Sequence, residues 1–278
     1  MSSSTQKTPI WQFKAFQNWV KTILISELVE VDGNVAELFC GSGLDLGKWE
    51  RARIGRYIGI DTIQSSLKEA EASWQQRKCT YDAQFLNIDT LNTNLNEQLP
   101  TDMQFDVVSC FDGMQRAFSD MEQANTFIKN ASSRLKNGGY FFGILPDSSA
   151  IWYKSQKVTS GLPCIKSTLF NIDFGSDTFS FFGSTYNMSM KDGSSITESL
   201  VHFPTFISLC KQHGLLFIEA SNLSEFYEDN KKNYDAKLKQ SGVLVGKGKI
   251  EPAQMELISL YTTFIFYKET ELPKIIQS

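Results

Sequence analysis

Glu37, Gly41, Gly43 and Asp61 are the residues whose types and spacing suit a ligand. Asn34-Val-Ala-Glu-Leu-Phe39 reads as a buried strand, Cys40-Gly-Ser-Gly43 as a turn, and the residues from Asp45 as the start of a helix. Tyr57-Ile-Gly-Ile-Asp61 reads as the next strand and ends on a second carboxylate. Acidic residues at successive strand ends, with a glycine turn between them, suit a nucleoside. The glycines let backbone approach the ligand, and Asp61 can accept both ribose hydroxyls. Two glycines behind an acidic residue leave no cradle for a pyrophosphate, which favours S-adenosylmethionine over a dinucleotide. Asp89 closes Gln84-Phe-Leu-Asn-Ile-Asp89 and adds a third strand-end carboxylate, placed to bond an adenine amino group. Taken alone, each of these acids reads equally well as a cap or a solvated loop residue; their order along the chain is what favours a ligand.

The elements that must carry these residues alternate. A helix over 13–29 has apolar residues at Phe16, Trp19, Val20, Ile23 and Leu24. There follow strand 34–39, helix 44–53, strand 56–60, helix 63–77, strands 83–88 and 104–110, helix 119–136 and strand 139–145, with Gly138-Gly139 ending the last helix. This pattern predicts an α/β fold with a doubly wound, mostly parallel, Rossmann-like sheet over 34–146. Ligands in such sheets sit at the carboxyl ends of the strands, here Phe39 to Leu44, Asp61, Asp89, Phe111 to Arg116, and Pro146-Asp147. Beyond Pro146, residues 147–220 read as an inserted, β-rich substrate lobe, 231–254 as a Lys-, Gly- and Ser-rich mobile loop, and 257–267 as a final strand. Residues 1–9 and 271–278 read as tails flanking a single domain over 10–270.

Composition narrows the chemistry. The 278 residues are 41% hydrophobic and include 21 Phe, enough for a substantial core. Five Cys, scattered and without CxxC spacing, favour neither a disulfide framework nor a zinc site. Two His leave little for His-based catalysis or a multi-His metal centre, and a net charge of −4 argues against a broad nucleic-acid platform. No run of about 18 apolar residues and no signal-peptide core is seen, so a soluble intracellular chain is expected.

The combination of Phe16-Gln-Asn-Trp-Val-Lys21, Cys40-Gly-Ser-Gly-Leu-Asp-Leu-Gly-Lys-Trp49, Gly59-Ile-Asp61 and Glu198-Ser-Leu-Val-His-Phe-Pro204 resembles the eukaryotic mRNA cap guanine-N7 methyltransferases. Glu122-Gln-Ala124, Gly138-Gly-Tyr-Phe141, Phe182-Gly183, Phe226-Tyr227 and Tyr261 extend the resemblance over nearly the whole chain, and it is strongest to the family's second, divergent plant-type branch. The resemblance implies the methyltransferase type of the fold and a donor site made by Lys21, Phe39, Gly41, Asp61, Asp89, Phe111 and Arg116. Lys21 would bond the carboxylate of S-adenosylmethionine, Asp61 its ribose and Asp89 its adenine. It implies a cap site made by Gln17, Asn18, Ser42, Lys48, Ser73, Gln115, Pro146, Glu198 and Tyr261, with Glu198 accepting from guanine N1–H and the amino group. It implies capped mRNA as partner and the nucleus as location; a monomer is expected, and an activating protein partner is left open.

Several positions depart from the family pattern. Phe39 stands where the family has a glycine, so its ring must turn away or crowd the donor's methionine end. Ser42 and Ser73 replace basic residues that face the cap phosphates, and Phe111, Gln115 and Arg116 replace a Gln, a His and a Tyr. Lys48, Arg51, Arg53 and Arg56 form a compact basic cluster near the loop that could serve the triphosphate. Guanine N7 has a free lone pair and no proton, so the expected reaction is in-line methyl transfer with no general base, no acid–base catalytic residue and no metal. The alternatives are a weak or inactive module that keeps the fold, and a small-molecule methyltransferase.

Overall fold

The computed structural model describes residues 8–156, 164–246 and 248–269. Most of the expected tail 1–9, all of 271–278 and Lys247 lie outside the described residues. Helix α1 (Trp11–Leu28) precedes β1 (Asn34–Leu38), α2 (Leu46–Ala52), β2 (Arg56–Asp61), α3 (Gln64–Arg77), β3 (Asp82–Asn87), β4 (Phe105–Cys110), α4 (Met121–Ser133) and β5 (Leu135–Pro146). Then come α5 (Ser148–Ser155), β6 (Cys164–Lys166), β7 (Phe170–Phe174), β8 (Thr185–Met190), β9 (Ser195–Ser199), α6 (Phe203–Gln212), β10 (Leu215–Glu219), α7 (Leu223–Asn230), α8 (Asp235–Ser241), α9 (Pro252–Ile258) and β11 (Tyr261–Lys268).

The central sheet has the order β10-β11-β5-β4-β1-β2-β3. β1 to β5 pair in parallel, and β11 runs antiparallel between β5 and β10. The turns after β1, β2, β3 and β4 therefore open on one edge. Apolar residues cover both faces, as a parallel sheet requires. Phe16, Trp19, Trp49 and Tyr57 pack on the α1–α2 face, and Phe118, Phe127, Phe206 and Phe264 on the α4–α6 face. A second, antiparallel sheet β6-β7-β8-β9 packs through β9 against the 3-10 turn Met114–Ser119 that follows β4. No helix among the described residues is long and apolar enough to cross a membrane.

Four local readings differ from the sequence expectation. The helix expected over 119–136 stops at Ser133, and Gly138-Gly139 lies inside β5, where the register to β4 shifts. A side chain on Gly139 would strike the carbonyl of Asp106 at 2.6 Å and Gly138 holds φ +85°, so the two serve a close strand approach and a local bend rather than a helix end. Of the lobe expected over 147–220, the four strands occupy 164–199, while α6 and β10 return to the central sheet. The region read as a loop over 231–254 holds α8 and the start of α9, anchored by buried Leu238 and Val243; Gln12 Nε2 donates to the Val243 carbonyl at 2.6 Å. The apolar run from Leu257 also divides: Leu257 and Ile258 finish α9, and the strand begins at Tyr261.

Candidate functional site

The donor side is built where β1 and β2 end. Phe39 holds φ +57°, the left-handed region a glycine would favour. Its ring stacks on Phe127 (5.8 Å between centroids, 12° between planes), and the Arg116 guanidinium lies over it at 4.6 Å. The ring is thus packed between α4 and the turn after β4. The two loop glycines do different work. A Cβ on Gly43 would meet Ala70 at 3.0 Å, so that glycine lets α2 and α3 approach, whereas a Cβ on Gly41 (φ +54°) would meet nothing within 4 Å. Open space above Gly41 is what a ligand contacting bare backbone needs.

Asp61 is 7% exposed; its Oδ2 accepts from Gly41 N–H at 2.9 Å and its Oδ1 from Ile63 N–H at 2.9 Å. Each oxygen keeps a further lone pair for a ribose hydroxyl. Ile63 is 54% exposed beside it and offers an apolar surface to a planar base. Asp89 is turned into its own loop, its oxygens taking Leu91 N–H (3.0 Å) and Asn92 Nδ2 (2.7 Å). Glu37 corrects the expectation of three ligand-facing carboxylates. It is buried under α2, where its Oε2 accepts from Trp49 Nε1 (2.8 Å) and Tyr57 Oη (2.7 Å), and burial and Asp45 push its carboxyl up to about 7.

One residue passed over as a site candidate in the sequence joins the two halves. Asp45 sits between the lysines, with Oδ2 at 2.7 Å from Lys21 Nζ and Oδ1 at 2.5 Å from Lys48 Nζ. Lys48 also donates to Asn18 Oδ1 at 2.8 Å, and Lys21 lies 5.0 Å from the Phe111 ring centroid. Burial lowers Lys21's affinity for its proton, but Asp45 and Glu37 more than offset that and its pKa is raised. At Lys48 burial prevails over the attraction to Asp45, and the neighbouring charge of Lys21 adds to it, so its pKa is lowered. Burial would raise Asp45, yet the two ammonium groups hold it below the usual carboxylate range. The signal was available in Gly-Leu-Asp-Leu-Gly-Lys48, where Asp45 and Lys48 stand three residues apart on a helix start.

The acceptor side faces the same β4 turn from the second sheet. Glu198 on β9 is 8% exposed and stands opposite Tyr186 of β8, whose hydroxyl is 3.4 Å from Oε2. Burial raises Glu198 to about 6; Gln115 and Tyr186 bond its charged form, Asp112 repels it and Arg116 attracts it. Gln115 is 1% exposed, with Nε2 at 3.4 Å from Asp112 Oδ1 and Oε1 without a partner. Tyr261 is half-buried against the Phe13 ring (4.9 Å) and pairs in register with Pro146; burial and Glu198 push its hydroxyl pKa up. Tyr186 was not a sequence candidate and follows once the lobe's strand pairing is known; Asp112 lay within the expected Phe111 to Arg116 stretch but was not singled out.

The remaining candidates are more peripheral. Gln17 is half-buried on α1, Ser42 is half-buried between the glycines, and Ser73 on α3 accepts from Arg77 Nε at 3.4 Å. The expected basic cluster is not one group. Lys48 is buried, Arg51 is exposed, Arg53 caps the end of α2, and Arg56 opens β2 at the edge opposite the site. The 3-residue spacing that joins Lys48 to Arg51 does not extend across the helix end.

Comparison with known proteins places the chain in a family. The chain is 34% identical over 265 residues to an mRNA cap guanine-N(7) methyltransferase 2 of Oryza sativa subsp. japonica, covering 90% of this chain and 78% of that one. It is 35% identical over 269 residues to the Arabidopsis thaliana protein of the same name, covering 90% and 76%. The fold is also that of an S-adenosylmethionine-dependent methyltransferase from Clostridium acetobutylicum, with TM-score 0.53 at 13% identity over 93% of this chain and 92% of that one. With residues 2–269 matching the model of the mRNA (guanine-N(7))-methyltransferase domain, the chain belongs to that family.

Proposed function

We propose that the protein transfers the methyl group of S-adenosylmethionine to N7 of the terminal guanosine of capped RNA. The observation that carries this reading is the turn Phe111 to Arg116, shared by both half-sites. Phe111 meets Lys21 and Arg116 covers Phe39 on the donor side, while Gln115 and Asp112 act on Glu198 on the other. The open face of Gly41, the lone pairs left on Asp61 and the exposed Ile63 fit the donor. When bound, S-adenosylmethionine supplies an activated methyl on a sulfonium.

The chain's residues then bind and orient. Asp61 takes the ribose, Ile63 the adenine face and Lys21 the carboxylate. Glu198 accepts from guanine N1–H and the 2-amino group, a pattern adenine does not present. N7 needs no base, so catalysis rests on alignment, which supplies roughly 7–11 kcal/mol in favourable cases. As positive charge grows on guanine, the Glu198 and Asp112 carboxylates favour it. On this reading the protein works in the nucleus on capped transcripts, as a monomer.

Purified protein, capped RNA and labelled donor test the proposal. Label at guanine N7 is expected, with loss in Asp61→Ala. Wild-type protein that labels nothing and binds neither S-adenosylhomocysteine nor a cap dinucleotide would overturn it.

A further inference from the structure

Two arginines converge where no carboxylate among the described residues pairs with them. The position a Cβ would take on Gly47, in the first turn of α2, lies 2.9 Å from Arg77 Nη1 and 3.7 Å from Arg51 Nη1. Arg77 comes from the end of α3, with Nε at 3.4 Å from Ser73 Oγ, and its guanidinium lies across α2 because Gly47 has no side chain. Arg51 comes from one turn further along α2 itself. Among the described residues neither arginine makes an ion pair with a carboxylate. Two adjacent guanidiniums without a counter-charge repel each other, and an anion that accepts from both forks removes that cost.

The surroundings say which anion. Lys48 follows Gly47 directly, and Lys48 and Arg51, though not Arg77, line one cleft of about 560 Å³ with Asn18, Leu44 and Lys237; among the described residues no acid lines it. With Lys48 already paired to Asp45, Arg51 and Lys237 leave that cleft cationic in a chain whose net charge is −4. Ser42 and Ser73 bring no charge of their own. We infer that Arg51 and Arg77 form a phosphate-binding pair over Gly47 that holds the 5′–5′ triphosphate bridge of the capped substrate. The inference rests on the cap-methylation reading above and names the residues that grip the charged bridge while Glu198 holds the base. Planar, two-pronged arginines suit phosphate oxygens better than the single point charge of a lysine.

The test compares guanosine, the cap dinucleotide GpppG and a capped 20-nucleotide RNA as ligands and methyl acceptors. Wild-type protein is expected to hold GpppG more tightly than guanosine. Arg51→Ala and Arg77→Ala are each expected to raise the KM for GpppG about 10-fold, and the double variant about 100-fold, with guanosine affinity and kcat little changed. Circular dichroism and the affinity for S-adenosylhomocysteine should stay as in the wild type, since both arginines lie on helix surfaces. Ser73→Arg in the double variant sets a guanidinium one turn back along α3 and is expected to recover about 10-fold. A double variant that keeps the wild-type KM for GpppG overturns the inference and leaves cap methylation standing. A loss confined to the 20-nucleotide RNA overturns it too, because the arginines would then meet RNA backbone phosphates. Wild-type protein that neither binds nor methylates any cap ligand removes the function reading, and this inference with it.

Discussion

The donor half-site and the guanine half-site are built in opposite ways. The donor side is centred on the carboxyl ends of adjacent parallel strands, with Gly41, Asp61 and Ile63 close together in the chain and Lys21 added from α1, and backbone amides fix its key carboxylate. The guanine side draws Glu198 and Tyr186 from a separate antiparallel sheet, Tyr261 from the last strand and Gln115 from the β4 turn. The first is local and follows from the strand–turn–helix geometry; the second exists only after residues far apart in the chain meet. Substitution has touched both halves, at Phe39, Phe111 and Arg116 on the donor side and at Gln115 on the guanine side.

The comparison breaks most completely where the halves share a residue. Asp45→Ala would leave the Lys21 and Lys48 ammonium groups largely buried without their carboxylate. Removing one member of a buried ion cluster costs about 3–5 kcal/mol. A urea melt should show that loss, and both donor and cap affinity should fall together. Undiminished stability would mean that water already neutralises the cluster.

Asp61→Ala separates the halves. It deletes a carboxylate that both fixes Gly41 and faces the open side of the loop. Two charge-assisted hydrogen bonds to a ribose are worth about 3 kcal/mol, or roughly 100-fold in affinity. Calorimetry with S-adenosylhomocysteine should report that loss, with GpppG affinity changed less than about 3-fold. Equal losses for both ligands would mean that the two half-sites are not independent.

The same contrast explains what the sequence revealed. The order of strands β1 to β5, the glycine turn and Asp61 followed from apolar periodicity and short-range turn chemistry. Glu37 misled because strand-end position does not say which face a side chain takes; alternation turns it under α2 toward Trp49 and Tyr57. Arg56 misled because its nearness in sequence to α2 outweighed its place at the start of the strand expected over 56–60, which begins at the far edge. Helix α8 was obscured by Lys, Gly and Ser, since Leu238 is its one buried side chain. Tyr186 depends on strand register, which no local pattern encodes, and the strand-end pattern that reached Phe111 to Arg116 does not say which way Asp112 turns. Glu198 was accessible only through family resemblance, because an isolated acid in a polar strand carries no signal of burial.

Glu198 sharpens the comparison through pH. Its carboxyl sits at about 6, above the ordinary carboxylate value, because burial disfavours the charge. Guanine needs the ionised form, so cap affinity should fall about tenfold per unit as pH drops below about 6, while donor affinity should not follow that curve. The stability effect has the opposite sign. As pH rises from the ordinary value to about 6, an unfolded Glu198 gives up its proton first, and the fold loses stability through this group. Glu198→Gln should therefore weaken cap binding about 30-fold at pH 7 and raise folding stability by about 1–2 kcal/mol. A flat pH profile for cap affinity would remove Glu198 from guanine recognition.

The smallest effect is expected at Phe39, and it decides whether the donor side kept its room. Phe39→Gly relieves a left-handed backbone conformation that costs an ordinary residue about 1–2 kcal/mol. Against that, the half-buried ring gives up its contact with Phe127 and Arg116, worth about 2 kcal/mol, and the new glycine adds about 1 kcal/mol of chain entropy to the unfolded state. The net is a loss of about 1–2 kcal/mol in a denaturant melt. Donor affinity should move by less than about 3-fold, because the ring is packed on α4 and the open space lies over Gly41. A gain of tenfold or more would show that the ring competes with the methionine end of the donor, and the local half-site would then be the one that had drifted.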